Sequence, residues 1–206
     1  ESKEPVSKFV SVEVQDKAAC PRYVARYIRD IKVAASPAWL KDRLEACGIN
    51  SISNIVDITN YVMLLTGQPL HAFDAEKVEG GIAVRFAKAG EKFISLEGSE
   101  YELTKDDLLI ADQKGPLALA GIKGGKRAEV TRETKKIILE SANFAPESIE
   151  RAAKRVNLLT DAAVRFRVGI DPNLTVEAID TAASLIQKLA GGEVTKGRVD
   201  TGKNVA

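Results

Sequence analysis

The chain has one histidine, two cysteines, one methionine and one tryptophan among 206 residues, and aromatics make up 5% of it. Each shortage removes a class of chemistry. Cys20 and Cys47 lie far apart and form no CxxC pair, and a lone histidine can add little, so a zinc site is not expected. Both thiols read as reduced, in a cytoplasmic protein. No apolar stretch approaches the roughly 20 residues that a membrane span needs, so no membrane partner is expected. Charge of one sign is lacking too: 30 Lys+Arg against 29 Asp+Glu leaves +1. The surface as a whole is therefore no nucleic-acid magnet, although a local RNA contact stays open. Glu1 to Pro5 has no apolar run of a signal peptide. The only methionine is Met63, and from the missing initiator the chain is expected to be a piece of a longer protein. There is no P-loop, no Ser-His-Asp order, no internal repeat and no low-complexity tract.

What is present is 45% hydrophobic residues, enough for a proper core. Val10, Val12 and Val14 alternate with polar residues, the period of a half-buried strand. Tyr23 to Val33 reads as a second strand. Ser36-Pro37 reads as an N-cap with proline at the first helical position, and Leu40, Leu44 and Cys47 then share a helical face. A second helix is expected over Ser53 to Thr66, stopped by Gly67 and Pro69. Short strand-like runs follow at 82–86, 92–96, 101–103, 108–111 and 117–120, with a further buried strand over Lys136 to Ser141. Helices return at Pro146, with Ile149, Ala152, Ala153 and Val156 in register, and at Asp171-Pro172, with Leu174, Ala178, Leu185 and Leu189 towards the core. Strands and helices are segregated, which predicts an α+β fold: short-stranded sheets packed on one another, sandwich-like, with flanking helices.

Five features could carry chemistry, each with a plainer explanation. His71, placed in a loop after a helix, could orient a water or move a proton; an exposed or structurally bonded imidazole explains it more simply. Glu140 ends Ile137-Ile138-Leu139 and stands either at an exposed strand end, the simpler reading, or in a cavity where it needs a partner. Gly121, Gly124 and Gly125 allow close backbone approach to a ligand, or a tight turn. Thr160-Asp161-Ala162, between the last two helices, suits a cap or lines a pocket. Arg151, Lys154 and Arg155, with Lys123, Lys126 and Arg127, could meet phosphates or simply be solvated.

Several stretches occur together, in order: Cys20-Pro-Arg-Tyr23, Val56-Asp-Ile-Thr-Asn60-Tyr61, Gly67-Gln-Pro-Leu-His-Ala-Phe-Asp74, Ala120-Gly-Ile-Lys-Gly-Gly125, Leu139-Glu-Ser-Ala142, Thr160-Asp-Ala162, Arg165-Phe166 and Gly169-Ile-Asp-Pro172. The ordered set resembles the B3/B4 region of the bacterial phenylalanyl-tRNA synthetase beta-subunit family, over about Cys20 to Gly197. The implied organisation is an N-terminal connecting segment over 1–19, an editing domain over 20–197 and a C-terminal linker over 198–206.

The resemblance implies a site that hydrolyses tyrosine wrongly esterified to the phenylalanine tRNA. His71 would lie at the hydrolytic centre, with Gly124 and Thr160. Glu140 would recognise the tyrosine hydroxyl, beside Ala162. Thr59, Asn60 and Pro69 would bind substrate near the pocket. Backbone N–H groups around Gly124 are the expected oxyanion donors. Implied partners are the acceptor end of the tRNA and a synthetase alpha subunit in an α2β2 assembly. No cofactor is expected in this stretch; ATP and Mg2+ would serve the parent enzyme's charging centre elsewhere. Family members often carry Glu where Arg167 stands and Arg near Asn50. Two other readings share the same fold: a non-catalytic RNA-binding or structural domain, and a free-standing deacylase.

Overall fold

The computed structural model describes residues 2–202. Strand β1 (Val12–Val14) and strand β2 (Arg22–Arg29) are followed by helices α1 (Ala38–Ala46) and α2 (Asn54–Thr66). Strands then run β3 (Leu70–Asp74), β4 (Ile82–Phe86), β5 (Lys92–Ile94), β6 (Glu100–Glu102), β7 (Leu108–Ala111), β8 (Pro116–Leu119), β9 (Lys123–Gly124) and β10 (Lys136–Asn143). Helices α3 (Pro146–Val156), α4 (Asp161–Phe166) and α5 (Leu174–Ala190) precede the short strands β11 (Glu193–Val194) and β12 (Val199–Asp200). The expected α+β sandwich with flanking helices is what forms.

One five-stranded sheet has the order β1-β4-β7-β8-β9, and a second has β11-β2-β10-β3 with β12 also on β2. A small β5-β6 hairpin stands apart. In the second sheet, β2 and β10 pair antiparallel over eight residues, from Lys136 opposite Arg29 to Asn143 opposite Arg22. Both strands are buried along nearly their whole length, because each face covers a different core. On one face Tyr23, Tyr27, Phe73 and Ile138 meet Val84, Leu109 and Leu117 of the other sheet, capped by Ile149 and Phe166 of α3 and α4. On the opposite face Val24, Ile28, Ile137 and Leu139 pack under Leu40, Leu44, Ile58, Ala182 and Ile186 from α1, α2 and α5. The result is three layers: sheet, sheet, helices. Successive residues of β2, β3 and β10 alternate between the two cores, as strand geometry requires.

Several boundaries differ from the sequence expectation. The N-cap of α1 is Pro37, and the Ser36 hydroxyl instead donates to the buried Asp57 carboxylate at 2.6 Å. Cys47 is exposed, not on the buried face. In α5 the buried residues include Ala178, Ile179, Ala182 and Ile186, while Leu185 and Leu189 sit at the margin. Ser53 does cap α2, and Gly67, at φ 81°, ends it in the left-handed region where glycine carries no Cβ penalty. Of the linker expected over 198–206, residues 203–206 lie outside the described residues, as does Glu1 of the connecting segment. Val199–Asp200 pair with β2, and Asp200 holds the Arg22 guanidinium at 2.8 Å.

Candidate active site

The sharp turn at Gly67 delivers the chain through Gln68 and Pro69 directly into β3. Gln68 is fully buried, and its amide nitrogen donates to the carbonyls of Pro69 (2.9 Å) and Ala142 (2.8 Å). This fixes the entry of β3 against the end of β10. His71 is thus a strand residue, not a loop residue, and its direct partner across the ladder is Glu140. Cross-strand partners project to the same face with Cβ atoms about 5 Å apart. Both side chains therefore point into the space between the two sheets. Glu140 sits mid-strand and is 7% exposed, so the exposed-end reading is corrected. The alternation Ile138, Glu140, Ala142 simply continues the inward face of β10 past its apolar start.

The second sheet ends on β3, and the first ends on β9. Where these two edges meet, Gly124 of β9 lies against the imidazole: a Cβ on it would fall 2.6 Å from His71 Cε1. The ring also stacks edge-on against Phe73, 4.6 Å between centroids. A cavity of about 80 Å³ opens here, with Glu140 and His71 among its lining, closed by Pro69, Gly124, Ala162 and Phe166. On the other side of His71 lies a larger groove of about 290 Å³, lined by Thr59, Asn60, Leu96, Glu97 and Glu129 among others. His71 borders both spaces.

Electrostatics separate the two titratable groups. Burial holds the His71 imidazole down to about 4, helped by the nearby Lys123 ammonium, so the ring is neutral near pH 7. Burial pushes the Glu140 carboxyl up to about 7, against a stabilising hydrogen bond from Tyr23. That bond runs from the Tyr23 hydroxyl to Glu140 Oε2 at 2.8 Å. Glu140 Oε1 has no hydrogen-bond partner among the described residues, nor is it sealed from solvent, so it faces the cavity. Among the described residues, no side chain is hydrogen-bonded to the His71 ring.

The remaining expected site residues fall into two groups. Pro69, Gly124 and Ala162 line the cavity with His71 and Glu140, while Thr59 and Asn60 line the outer groove. Thr160 lines neither. Its hydroxyl donates to the Ile122 carbonyl (2.9 Å) and accepts from Ala163 N (3.2 Å), capping α4 and tying it to the β8–β9 turn. Of the donors around Gly124, the Gly125 N–H is already bonded to Leu117 O (2.8 Å). Arg167 and Asn50 are exposed. The cationic patches are largely neutralised within the molecule. Arg127 pairs with Asp112, Arg155 with Asp107, Lys123 with Glu97, Lys126 with Glu129 and Lys154 with Glu150. Tyr23 belongs to the site although sequence reasoning gave it no role. Only the register of β2 on β10 brings it there, two positions diagonal from Glu140.

Three comparisons bear on this arrangement. The B3/4 domain family matches residues 19–191. A phenylalanine–tRNA ligase beta subunit of Geobacter metallireducens is 51% identical over 201 residues, covering 97% of this chain and 25% of that protein. The beta subunit of Vibrio parahaemolyticus is 50% identical over 186 residues, covering 90% of this chain and 23% of its own length. The chain thus spans about a quarter of the curated relatives it matches. Among solved structures, an N-terminal fragment of the phenylalanyl-tRNA synthetase beta subunit from Pyrococcus horikoshii superposes with a TM-score of 0.60. It covers 98% of this chain and 56% of the fragment at 15% identity, a likeness of fold.

Proposed function

Because the chain belongs to the B3/4 domain family, we propose that it is the editing region of a phenylalanine–tRNA ligase beta subunit, hydrolysing the ester of tyrosine misattached to the phenylalanine tRNA. One observation carries the reading: a buried carboxylate with one free oxygen and a neutral imidazole face the same cavity from adjacent strands.

Phenylalanine and tyrosine differ by one hydroxyl. An apolar synthetic pocket rejects an added hydroxyl poorly, whereas a site built to bond that hydroxyl strongly rejects the analogue lacking it. Glu140 Oε1 is such a group. A tyrosine phenol satisfies it with a charge-assisted bond. A phenylalanine ring leaves it unpaired in a dry site, at a cost of about 1–3 kcal/mol or more. The inner cavity, about 80 Å³, is smaller than the roughly 150 Å³ that accepts benzene. The aromatic ring therefore enters with outward movement of the rim, or extends towards the groove beyond His71. Glu97 and Glu129 in that groove, although paired with Lys123 and Lys126, keep acceptor capacity for the one free hydroxyl of the esterified ribose.

Hydrolysis needs water at the ester carbonyl carbon. The carbon–oxygen bond to the terminal ribose then breaks, and that oxygen leaves with a proton. A histidine held to about 4 is a weak base. Its role is to accept a hydrogen bond from the attacking water and orient it, with the vicinal ribose hydroxyl as the proton route. Gly124 lets the ester come close to the ring. Neither step calls for a cofactor. ATP and Mg2+ belong to charging, which we assign to the alpha subunit of an α2β2 parent, in the cytoplasm.

The test is deacylation of tyrosyl-tRNA by the synthetase that carries this region. His71→Ala should lower kcat by about 10²-fold or more with little change in KM, and Glu140→Ala should erase the preference for tyrosine over phenylalanine. Wild-type rates with both variants would overturn the reading.

A further inference from the structure

One oxygen of Glu140 faces the cavity, and the other is occupied from behind by the Tyr23 hydroxyl. We propose that Tyr23 is a positioning residue that sets amino-acid specificity: its phenol anchors Glu140 Oε2 beneath the cavity floor, so that Oε1 alone is presented, unpaired, to the incoming side chain. The proposal rests on the reading of Glu140 as the tyrosine-recognising group.

The geometry is specific. Tyr23 is fully buried and does not line the cavity, so its hydroxyl reaches Glu140 from the protein interior. The residue directly opposite Glu140 on β2 is Ala25. Its methyl side chain leaves the carboxyl room to turn towards Tyr23. Among the described residues, Cys20 and Tyr23 interact with the carboxyl, and His71 and Lys123 line the same cavity. Cys20, just before β2, has its thiol pushed well up by burial and is neutral. Tyr23 is likewise pushed up, chiefly by burial and then by Glu140 itself, and stays a neutral donor. His71 on β3 is neutral. Lys123 on β9 is engaged by Glu97. Of these, only Tyr23 donates a hydrogen bond to Glu140.

Selectivity against phenylalanine depends on a carboxylate that suffers when it is left unpaired. A buried carboxyl with no donor escapes that cost by taking up a proton. Tyr23 opposes this escape, since its hydrogen bond favours the charged form. With Tyr23 in place the carboxyl titrates at about 7; without that donor the value moves higher, the neutral form predominates at pH 7 and a phenylalanine ring becomes tolerable. Tyr23 is thereby a permanent partner that resembles the substrate's own phenol, placed on the opposite side of the same carboxyl.

The experiment measures kcat/KM for tyrosyl- and phenylalanyl-tRNA deacylation by the assembled synthetase from pH 6 to 9, with Tyr23→Phe, Glu140→Ala and the double variant. Tyr23→Phe should cut tyrosine-over-phenylalanine selectivity about tenfold at pH 7, largely by accelerating phenylalanyl ester hydrolysis. Selectivity should recover by pH 9 as the carboxyl ionises. The double variant should match Glu140→Ala alone. Should Tyr23→Phe fail to fold, 3-fluorotyrosine at position 23, a stronger donor, should move the pH at which selectivity is lost downward. Unchanged selectivity and pH profile in Tyr23→Phe or the fluorinated protein, while Glu140→Ala loses selectivity, would overturn the positioning role and leave the editing reading intact. Full selectivity in Glu140→Ala would overturn both.

Discussion

Gly124 shows how much of the site rests on a hydrogen atom. Its φ is not in the left-handed region, so no backbone requirement selects glycine there. What selects it is proximity: a methyl group at this position would come within 2.6 Å of His71 Cε1 and 3.1 Å of Nε2. The imidazole also packs edge-on against Phe73, so it gives way only towards the outer groove, off its present position. Gly124→Ala should therefore displace the ring by a large fraction of an ångström. Misplacement of about 1 Å at a reacting centre costs about 10²-fold. We expect kcat for tyrosyl-tRNA deacylation to fall by that order, while the thermal unfolding midpoint moves by only a few degrees. A variant with native kcat would show that the imidazole does not need its present position. Gly125, next along, is fixed by backbone instead, since a Cβ there would meet Leu117 O at 2.4 Å. The glycine cluster was visible in the sequence, but its two reasons for glycine were not. One comes from His71, far away in the chain, and the other from Leu117 on the neighbouring strand.

At the scale of elements, α4 is the helix that sequence reasoning missed, and Thr160 explains why. The helix has six residues, too short to show a period. It exists because Thr160 caps its first turn and also bonds the Ile122 carbonyl on the β8–β9 turn. These two hydrogen bonds of one hydroxyl, one donated and one accepted, carry Ala162 and Phe166 to the cavity wall. Losing an N-cap costs about 1 kcal/mol, and the Ile122 carbonyl loses its donor as well. Thr160→Ala should lower stability by about 1–2 kcal/mol in denaturant unfolding and slow deacylation by loosening the wall, whereas Thr160→Ser should restore both. Equal loss of activity in the serine variant would mean that the methyl, not the hydroxyl, matters. The long elements were legible because their signals are local: Ser53 and Gly67 bracket α2, and Pro146 opens α3. The strand at β3 was not, since Leu70 to Asp74 follows a helix cap and Pro69 and alternates only weakly. Glu140 looked like a strand end because the Ile137–Leu139 run stops there, yet β10 continues to Asn143, held by eight pairs to β2. Pairing, which no local pattern reveals, turns His71 and Glu140 from two unremarkable residues into facing partners.

For the whole molecule, the two groups at this site leave opposite marks on stability against pH. The folded-state value of Glu140 is raised from 4.5 to about 7. The folded protein then binds more protons than the unfolded chain between those values, so stability falls as pH rises through the window. The folded-state value of His71 is lowered from 6.5 to about 4. The unfolded chain binds the extra proton here, so stability falls as pH drops from 6.5 to 4. Each contributes about 3 kcal/mol across its window at 1.36 kcal/mol per unit, and less for His71, whose residue is partly solvent-exposed. The slopes nearly cancel from pH 4.5 to 6.5, where the folded site holds a neutral imidazole facing a neutral carboxyl. Neither shift arises from the other group, so substitution should unmask them one at a time. Relative to the wild type, Glu140→Gln should lose stability as pH falls from 7 to 4.5, and His71→Ala should gain it over the same range, each by about 2–3 kcal/mol. Other carboxylates held low by their cations, such as the part-buried Glu91 and the buried Asp112, act below this window and equally in all three proteins, so differences between urea titrations at matched pH isolate the site. Three curves that stay parallel from pH 4.5 to 7 would mean that the cavity is wet enough for both groups to titrate as in water, and a wet Glu140 would discriminate poorly between tyrosine and phenylalanine.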